Sequence, residues 1–134
     1  MLDHRMPAGK DIVDAYVPQM LDRCEKCRGT IFVAEVDGEV AGYATVLTKV
    51  TSDELEDGDL EYGLVSDLVV TKEFRGQGLG RRLLQAAESF ARAGDVNWLR
   101  IGVLAGNQSA QNLYTSMGYS NLYVELEKDL TGSQ

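Results

Sequence analysis

The feature that most constrains the fold of this chain is a cluster of glycines between a strand-like segment and a helical one. Residues 62–70 are mostly apolar and β-branched, and the segment RGQGLG follows at 75–80. A helical apolar stripe then continues to about Ala93, with Gly94 as its stop. A glycine-rich turn between a strand and a helix is typical of α/β folds that bind phosphate at the helix N-terminus.

Two common nucleotide-binding patterns do not fit the spacing of this cluster. The dinucleotide pattern GxGxxG, started at Gly76, requires a glycine where the chain has Arg81, and started at Gly78 it requires one where the chain has Leu83. The P-loop requires Lys and Ser or Thr after its last glycine, where the chain has Arg81 and Arg82. On this segment alone, a tight turn that binds no ligand remains the alternative.

The first part of the chain predicts a helix and a hairpin. An apolar helical stripe runs from Asp11 to about Arg28, with Pro18 inside it. Two β-rich segments, 30–35 and 39–50, flank Asp37-Gly38, which is a strong signal for a two-residue hairpin turn.

The second part of the chain alternates strands with helices. We expect a buried strand at 98–104, a helix that is capped by Asn107 and ends at Gly118, and a last strand at 119–130. The whole order predicts one α/β domain over residues 1–134. In this domain a central mixed sheet is flanked by helices, and strands are parallel wherever a helix crosses over.

Composition disfavours several function classes. The net charge of −8 disfavours a nucleic-acid partner, which requires clustered Lys and Arg. The apolar runs are far shorter than the ~20 residues that span a bilayer, and the N-terminus lacks a signal-peptide core, so we expect a cytoplasmic protein that does not bind membranes. Cys24 and Cys27 supply two ligands where structural zinc needs four, so we expect no metal.

Two motifs resemble signatures of the GNAT superfamily of N-acetyltransferases. The segment 70–80 is similar to the motif R/Q-x-x-G-x-G/A, which follows a strand that ends in Val. The segment NQSAQNLY at 107–114, with Gly118 and Tyr119 after it, resembles N-x-x-A-x-x-L-Y-x-x-x-G-F/Y. The similarity runs from about residue 30 to 130. It implies a GNAT-like fold and the transfer of an acetyl group from acetyl-CoA to an amine.

One departure from the family concerns the N-terminus. Residues 1–10 show no strand periodicity, so we expect that the first strand of the family is absent, that it precedes the first residue of this sequence, or that a neighbouring subunit covers the edge in its place. A sheet edge left uncovered in this way invites pairing with another chain. We therefore expect a homodimer.

The resemblance implies where acetyl-CoA binds. Amides of the glycine loop would hold its pyrophosphate, and the loop consists of Arg75, Gly76, Gln77, Gly78, Leu79, Gly80 and Arg81. Gly78 and Gly80 are expected to tolerate a side chain least. The strand residues Leu68, Val69 and Val70 would pair with the pantetheine arm as an added strand does, beside a bulge that opens a slot. The Leu68 amide is our candidate for polarising the thioester carbonyl.

The second motif implies two further roles, each with a structural alternative. Asn107 matches an asparagine that contacts the pantetheine arm, although an N-cap role would also explain it. Tyr114 matches the tyrosine that protonates the departing thiolate, although it lies on the apolar stripe of its helix and could be a core residue.

The general base and the acceptor are less defined. Several family members carry Glu where this chain has Ser66, so Asp67 or Glu61 would take the proton, directly or through water, unless Asp67 is a structural anchor. A run of six carboxylates would favour a cationic acceptor, unless it is only a solvated loop; it consists of Asp53, Glu54, Glu56, Asp57, Asp59 and Glu61. We expect a small molecule, with a protein N-terminus or lysine as the alternative. A degenerate acetyl-CoA sensor without turnover is the alternative function.

Overall fold

The computed structural model describes residues 10–52, 58 and 60–132, with residues 10–17 as backbone. The chain divides into two compact units, residues 1–102 and 103–134, and each is described by itself. Within the described residues, no helix is both long and apolar enough to cross a membrane. The prediction of one domain over residues 1–134 stays a prediction.

In its described residues, the first unit contains a four-stranded sheet and two α-helices. Its strands lie in the order β1-β2-β3-β4, antiparallel except for the parallel pair of β3 and β4. In chain order the elements are α1 (Lys10–Lys26), β1 (Thr30–Val36), β2 (Glu39–Thr51), β3 (Glu61–Val70), a 3₁₀ turn (Lys72–Phe74), α2 (Leu79–Ala93) and β4 (Leu99–Ile101). This arrangement confirms the predicted α/β class with a mixed sheet flanked by helices.

The hairpin between β1 and β2 forms at the predicted turn. Asp37 and Gly38 have φ angles of 51° and 82°, and Val36 pairs with Glu39 across them. Two consecutive residues with positive φ are the requirement of a type I′ turn, whose twist matches that of the flanking strands.

The two helices cover opposite faces of the sheet. The Phe90 ring of α2 packs edge-on against Phe32 of β1, with ring centroids 6.0 Å apart. The neighbouring residue of β1, Ile31, points to the other face, where it pairs with Thr45. On that side Met20 of α1 is buried. The core therefore lies on both faces of β2 and β3.

The second unit contains one helix, and here the prediction was partly wrong. Helix α3 spans Gln108–Ser116, and Gly118 with a φ of 95° follows it as expected. Residues 119–130 form no strand, although they were predicted as one. The alternation of side chains in this segment is typical of a strand, but a strand also needs a partner for its backbone hydrogen bonds, which alternation does not provide. Leu126 is 87% exposed.

Strand β4 is also shorter than predicted. The expected buried strand at 98–104 is reduced to Leu99–Ile101, and Trp98 is 64% exposed. Its parallel ladder with β3 ends at the pair Val65 and Ile101, where the partner strand becomes irregular.

Two sequence-based predictions concern residues outside the described ones. The expected absence of a first strand concerns residues 1–9, which precede α1. Of the six acidic residues assigned to the acceptor loop, only Glu61 is described.

Candidate functional site

Strand β3 contains a one-residue bulge at Ser66. Asp67 pairs with Thr45 of β2, whereas the next pair toward the N-terminus of β3 joins Val65 to Val46. Two residues of β3, Ser66 and Asp67, therefore oppose Thr45 alone. A bulge of this kind bends its strand and redirects the side chains beside it. The sequence predicted the bulge near Leu68, two residues further along the strand.

A cleft opens where the bulge interrupts the sheet. Strands β3 and β4 form three pairs, from Gly63 with Leu99 to Val65 with Ile101. Beyond the last pair lies a cleft of about 290 Å³, lined by residues 64–68 of β3, by Ile101 and Gly102, and by Arg23 of α1. The sheet is thus closed on one side of the bulge and open on the other.

The open part of β3 presents backbone groups toward this gap. The Thr71 N–H donates to the Ala41 carbonyl of β2 at 2.8 Å. Since hydrogen-bonded and non-hydrogen-bonded pairs alternate in an antiparallel ladder, Val69 is bonded to β2, while the N–H and C=O of Leu68 and Val70 point away from it. Arg75 occupies the far end of this edge, because its Nε donates to the Val70 carbonyl at 3.0 Å.

The glycine loop joins this edge to the N-terminus of α2. Gly76 and Gly78 have φ angles of 83° and 79°, and a Cβ at either position would meet no atom within 4 Å. Gly78 is the N-cap, and its carbonyl accepts the first helical hydrogen bond, from Arg82 N–H at 3.1 Å. The amides of Leu79 and Gly80 precede that bond and have no intrahelical acceptor. The loop therefore combines open space with helix-end donors, which suits an anion.

The remaining loop residues are placed differently from the two glycines. Gly80 lies inside α2 and is not among the glycines with positive φ, so the backbone conformation there does not require a glycine. Gln77, Arg81 and Arg82 are exposed. Both arginines can therefore add positive charge beside the helix N-terminus.

A small polar cluster lies at the bulge, on the sheet face that α1 covers. Ser66 Oγ donates to Asp67 Oδ2 at 3.1 Å and lies 4.0 Å from Met20 Sδ. Asp67 is only 6% exposed, whereas Ser66 is half-buried. Opposite them, Thr45 Oγ1 is buried and makes no hydrogen bond within the described part of the chain. The cluster places a buried carboxylate behind a more accessible hydroxyl.

The second candidate base, Glu61, is not part of this cluster. It is exposed at the start of β3, where it pairs with Thr51. Six residues of extended strand separate it from Asp67, a distance of about 20 Å. The structure therefore brings Asp67, but not Glu61, to the cleft.

The two residues of the second motif lie in the second unit. Asn107 is the N-cap of α3, and its Oδ1 accepts from the Ala110 N–H at 3.1 Å, which confirms the structural alternative for its oxygen. Tyr114 is 4% exposed, and its ring packs edge-on against Tyr119. Burial raises the pKa of Tyr114 to about 12, so its hydroxyl is protonated at neutral pH.

Sequence reasoning missed two residues of the cleft. Ser66 was read as a missing glutamate, because a one-residue bulge leaves no mark in a strand-like sequence. Arg23 was not considered, although its spacing of three residues from Met20 places both on one face of α1. Among the described residues, no group of three His, Cys, Asp or Glu side chains could hold a metal ion.

Comparison with known proteins identifies relatives over most of the chain. A sequence profile described as "Acetyltransferase (GNAT) family" matches residues 2–119. The chain is 33% identical over 88 residues to the "Uncharacterized N-acetyltransferase in pepI 3′region" of Lactobacillus delbrueckii subsp. lactis, which covers 65% of this chain and 49% of the relative. It spans 49–64% of the lengths of six curated relatives that it matches.

Solved structures resemble the fold as well. A tetramutant of the BH1408 protein from Bacillus halodurans superposes with a TM-score of 0.72 at 22% identity, over 90% of this chain and 83% of that one. The aminoglycoside N-acetyltransferase AAC(6′)-Iy in complex with CoA gives a TM-score of 0.67 at 14% identity, over 91% of this chain and 95% of that one. At these identities the two structures confirm the fold alone.

Proposed function

Because the chain belongs to the GNAT family of acetyltransferases, we propose that it transfers the acetyl group of acetyl-CoA to the primary amine of a small molecule. The observation that carries this proposal is the bulge at Ser66, beyond which β3 has an open edge that leads directly into the glycine loop. One surface then offers both an anion site and a strand edge. These are the two features that a phosphorylated, amide-containing thioester requires.

The residues of the first unit fit acetyl-CoA. The pyrophosphate would lie against the loop of residues 75–81, over the space above Gly76 and Gly78 and against the amides of Leu79 and Gly80. The pantetheine arm would pair with the outward-facing groups of Leu68 and with the N–H of Val70, as a peptide pairs with an exposed sheet edge, while the Val70 carbonyl already accepts from Arg75. Val69 contributes its bonds to β2 and so holds this edge in place.

The reaction joins the amine nitrogen to the acetyl carbonyl carbon and breaks the bond between that carbon and the CoA sulfur. Acetyl-CoA supplies the activated acyl group. The Leu68 N–H, which points away from β2, would donate to the thioester carbonyl oxygen as negative charge develops on it. This donor is fixed by the strand and needs no reorganisation during the reaction.

The proton of the acceptor ammonium would pass to Asp67 through Ser66. Ser66 Oγ already donates to Asp67 Oδ2, so its lone pairs can accept from an ammonium in the cleft. Transfer along these two hydrogen bonds would leave a neutral amine and a protonated carboxyl group. Asp67 is too deeply buried to contact the acceptor ammonium directly, so the Ser66 hydroxyl would relay the proton to it.

The proton that the departing thiolate needs would come from Tyr114. This role rests on the family motif and on the raised pKa, which keeps the Tyr114 hydroxyl protonated. Asn107 would contact the pantetheine arm through its amide nitrogen, since its oxygen caps α3. As the tetrahedral adduct collapses, the nitrogen loses a second proton, which would restore the Tyr114 hydroxyl, and Asp67 would return its captured proton to water. The net reaction then converts an ammonium and acetyl-CoA into an amide, free CoA thiol and one released proton.

The acceptor is proposed to be a small cationic amine. The cleft of about 290 Å³ suits a small molecule, and the net charge of −8 attracts cations. We further propose a cytoplasmic homodimer. In the described residues the outer edge of β1 pairs with no strand, and such an edge invites pairing with a second copy.

Release of free CoA thiol from acetyl-CoA in the presence of amines tests the proposed activity. A panel of diamines, amino acids, amino sugars and lysine peptides should show amine-dependent release with at least one member. Binding of acetyl-CoA without release on any member would instead favour the sensor that binds acetyl-CoA without turnover. No binding at all would exclude both.

A further inference from the structure

We propose that Arg23 selects an acceptor that carries a carboxylate beside its reacting amine, which makes the substrate a zwitterion rather than a polycation. This inference rests on the proposed acetyl transfer to a small-molecule amine, and it replaces the cationic acceptor proposed above with one whose ammonium is balanced by a carboxylate. The observation that supports it is the pair of opposite charges that lines the cleft at the bulge.

The cleft presents one cation and one anion. Among the eight described residues that line it, Arg23 is the only basic one and Asp67 the only acidic one. The others are apolar, apart from Ser66 and the backbone of Gly102. Asp67 lies on the sheet, while Arg23 belongs to the helix above it. A ligand in the cleft therefore meets opposite charges on its two walls.

The contact of Met20 indicates which face of α1 Arg23 shares. Met20 is buried and lies 4.0 Å from Ser66 Oγ. Arg23 follows it by three residues, so it lies on the same helix face one turn further along. Burial raises the pKa of the Cys24 thiol, and the charge of Arg23 opposes this rise, as a nearby cation does.

The arrangement matches the two ends of a zwitterion. The ammonium group would lie beside Ser66 and Asp67, which remove its proton. The carboxylate would lie against Arg23, whose planar guanidinium binds carboxylates with two parallel hydrogen bonds. A diamine would instead bring its second positive charge against Arg23, and like charges disfavour binding. The cleft thus selects against acceptors with two or more positive charges, although the six carboxylates between Asp53 and Glu61 favoured a cationic acceptor.

Matched acceptor pairs test this inference. Amino carboxylates with two to six carbons between the groups, their carboxamides and the corresponding diamines would be compared by thiol release from acetyl-CoA. We expect at least one amino carboxylate to exceed its carboxamide about 10-fold in kcat/KM. Arg23→Gln should raise KM for that acid about 10-fold and leave kcat/KM for the carboxamide unchanged, and Arg23→Lys should restore part of the preference.

A charge-matched control separates local recognition from net charge. Arg92 is exposed in the last turn of α2 and does not line the cleft, so Arg92→Gln should leave the preference intact. Equal use of acids, carboxamides and diamines, or an equal loss on both members of a pair in Arg23→Gln, would overturn the inference while the proposed activity stands. Absence of thiol release with every amine would overturn both.

Discussion

The two halves of β3 have nearly the same sequence character but different surroundings. From Gly63 to Val65 the strand pairs with β2 on one side and β4 on the other. From Leu68 to Val70 it pairs with β2 alone among the described strands, and Leu68 lines the cleft. The first half stabilises the sheet, whereas the second presents a row of backbone donors and acceptors to a ligand.

A single residue accounts for this difference. Ser66 has no partner of its own in β2, so the strand bends there and the parallel ladder with β4 ends. The same bulge turns the hydroxyl of Ser66 and the carboxylate of Asp67 toward each other. The proposed binding edge of β3 and the proposed base, Asp67, therefore both depend on the bulge at Ser66.

Deletion of Ser66 should have the largest effect on acetyl-CoA binding and acetyl transfer, because it would remove the bulge that distinguishes the two halves of β3. Asp67 would then continue a regular ladder, and β4 could extend its pairing over the former cleft. We expect no detectable acetyl transfer and no acetyl-CoA binding by calorimetry, in a protein that still unfolds cooperatively. Ser66→Ala, which keeps the bulge, should bind acetyl-CoA normally. Retention of binding after removal of Ser66 would contradict the account.

Substitution in the glycine loop should give the second largest effect. Gly78→Glu places a carboxylate where the pyrophosphate is proposed to bind, and like charges at that distance cost several kcal/mol, or more than about 100-fold in Kd. Gly38→Glu is its matched control, since Gly38 has a φ of 82° against 79° for Gly78 and equally open surroundings. Calorimetry should show weakened acetyl-CoA binding only for Gly78→Glu. Equal weakening in both would point to stability instead.

Replacement of the proposed base should affect turnover but not cofactor binding. Asp67→Asn is expected to lower kcat about 100-fold, the lower end of the range for general base catalysis, with little change in acetyl-CoA affinity. Glu61→Gln tests the rival carboxylate at the start of the same strand and should change kcat less than about 2-fold. The reverse ranking of the two variants would move the base to Glu61. Steady-state kinetics with one amine decides between them.

Tyr114 should give the smallest effect and a characteristic pH profile. Tyr114→Phe is expected to lower kcat about 10-fold, since a thiolate can leave without full protonation. Because the pKa of Tyr114 is raised to about 12, the hydroxyl keeps its proton below that pH, and the loss should be constant from pH 7 to 10. An alkaline decline of wild-type kcat below pH 10 that vanishes in the variant would contradict this.

The sequence predicted those parts of the fold that depend on local signals. Positive φ at Asp37 and Gly38, and the N-cap at Asn107, follow from residue type and near neighbours. The family resemblance implied a bulge near Leu68, but its position at Ser66 could not be predicted, because register depends on how two distant strands pair. The prediction of a strand at 119–130 was wrong for the same reason, because a strand depends on a distant partner. Arg23 lines the cleft because of how α1 packs on the sheet, which local sequence signals do not specify.

Amide hydrogen exchange along β3, with and without acetyl-CoA, tests the central claim most directly. If the pantetheine arm adds to the outer edge, the amides of Leu68 and Val70 should gain protection, while Val69, which is already bonded to β2, should change little. Protection with this period of two residues would support the account. Unchanged exchange at Leu68 and Val70 under saturating acetyl-CoA would contradict it.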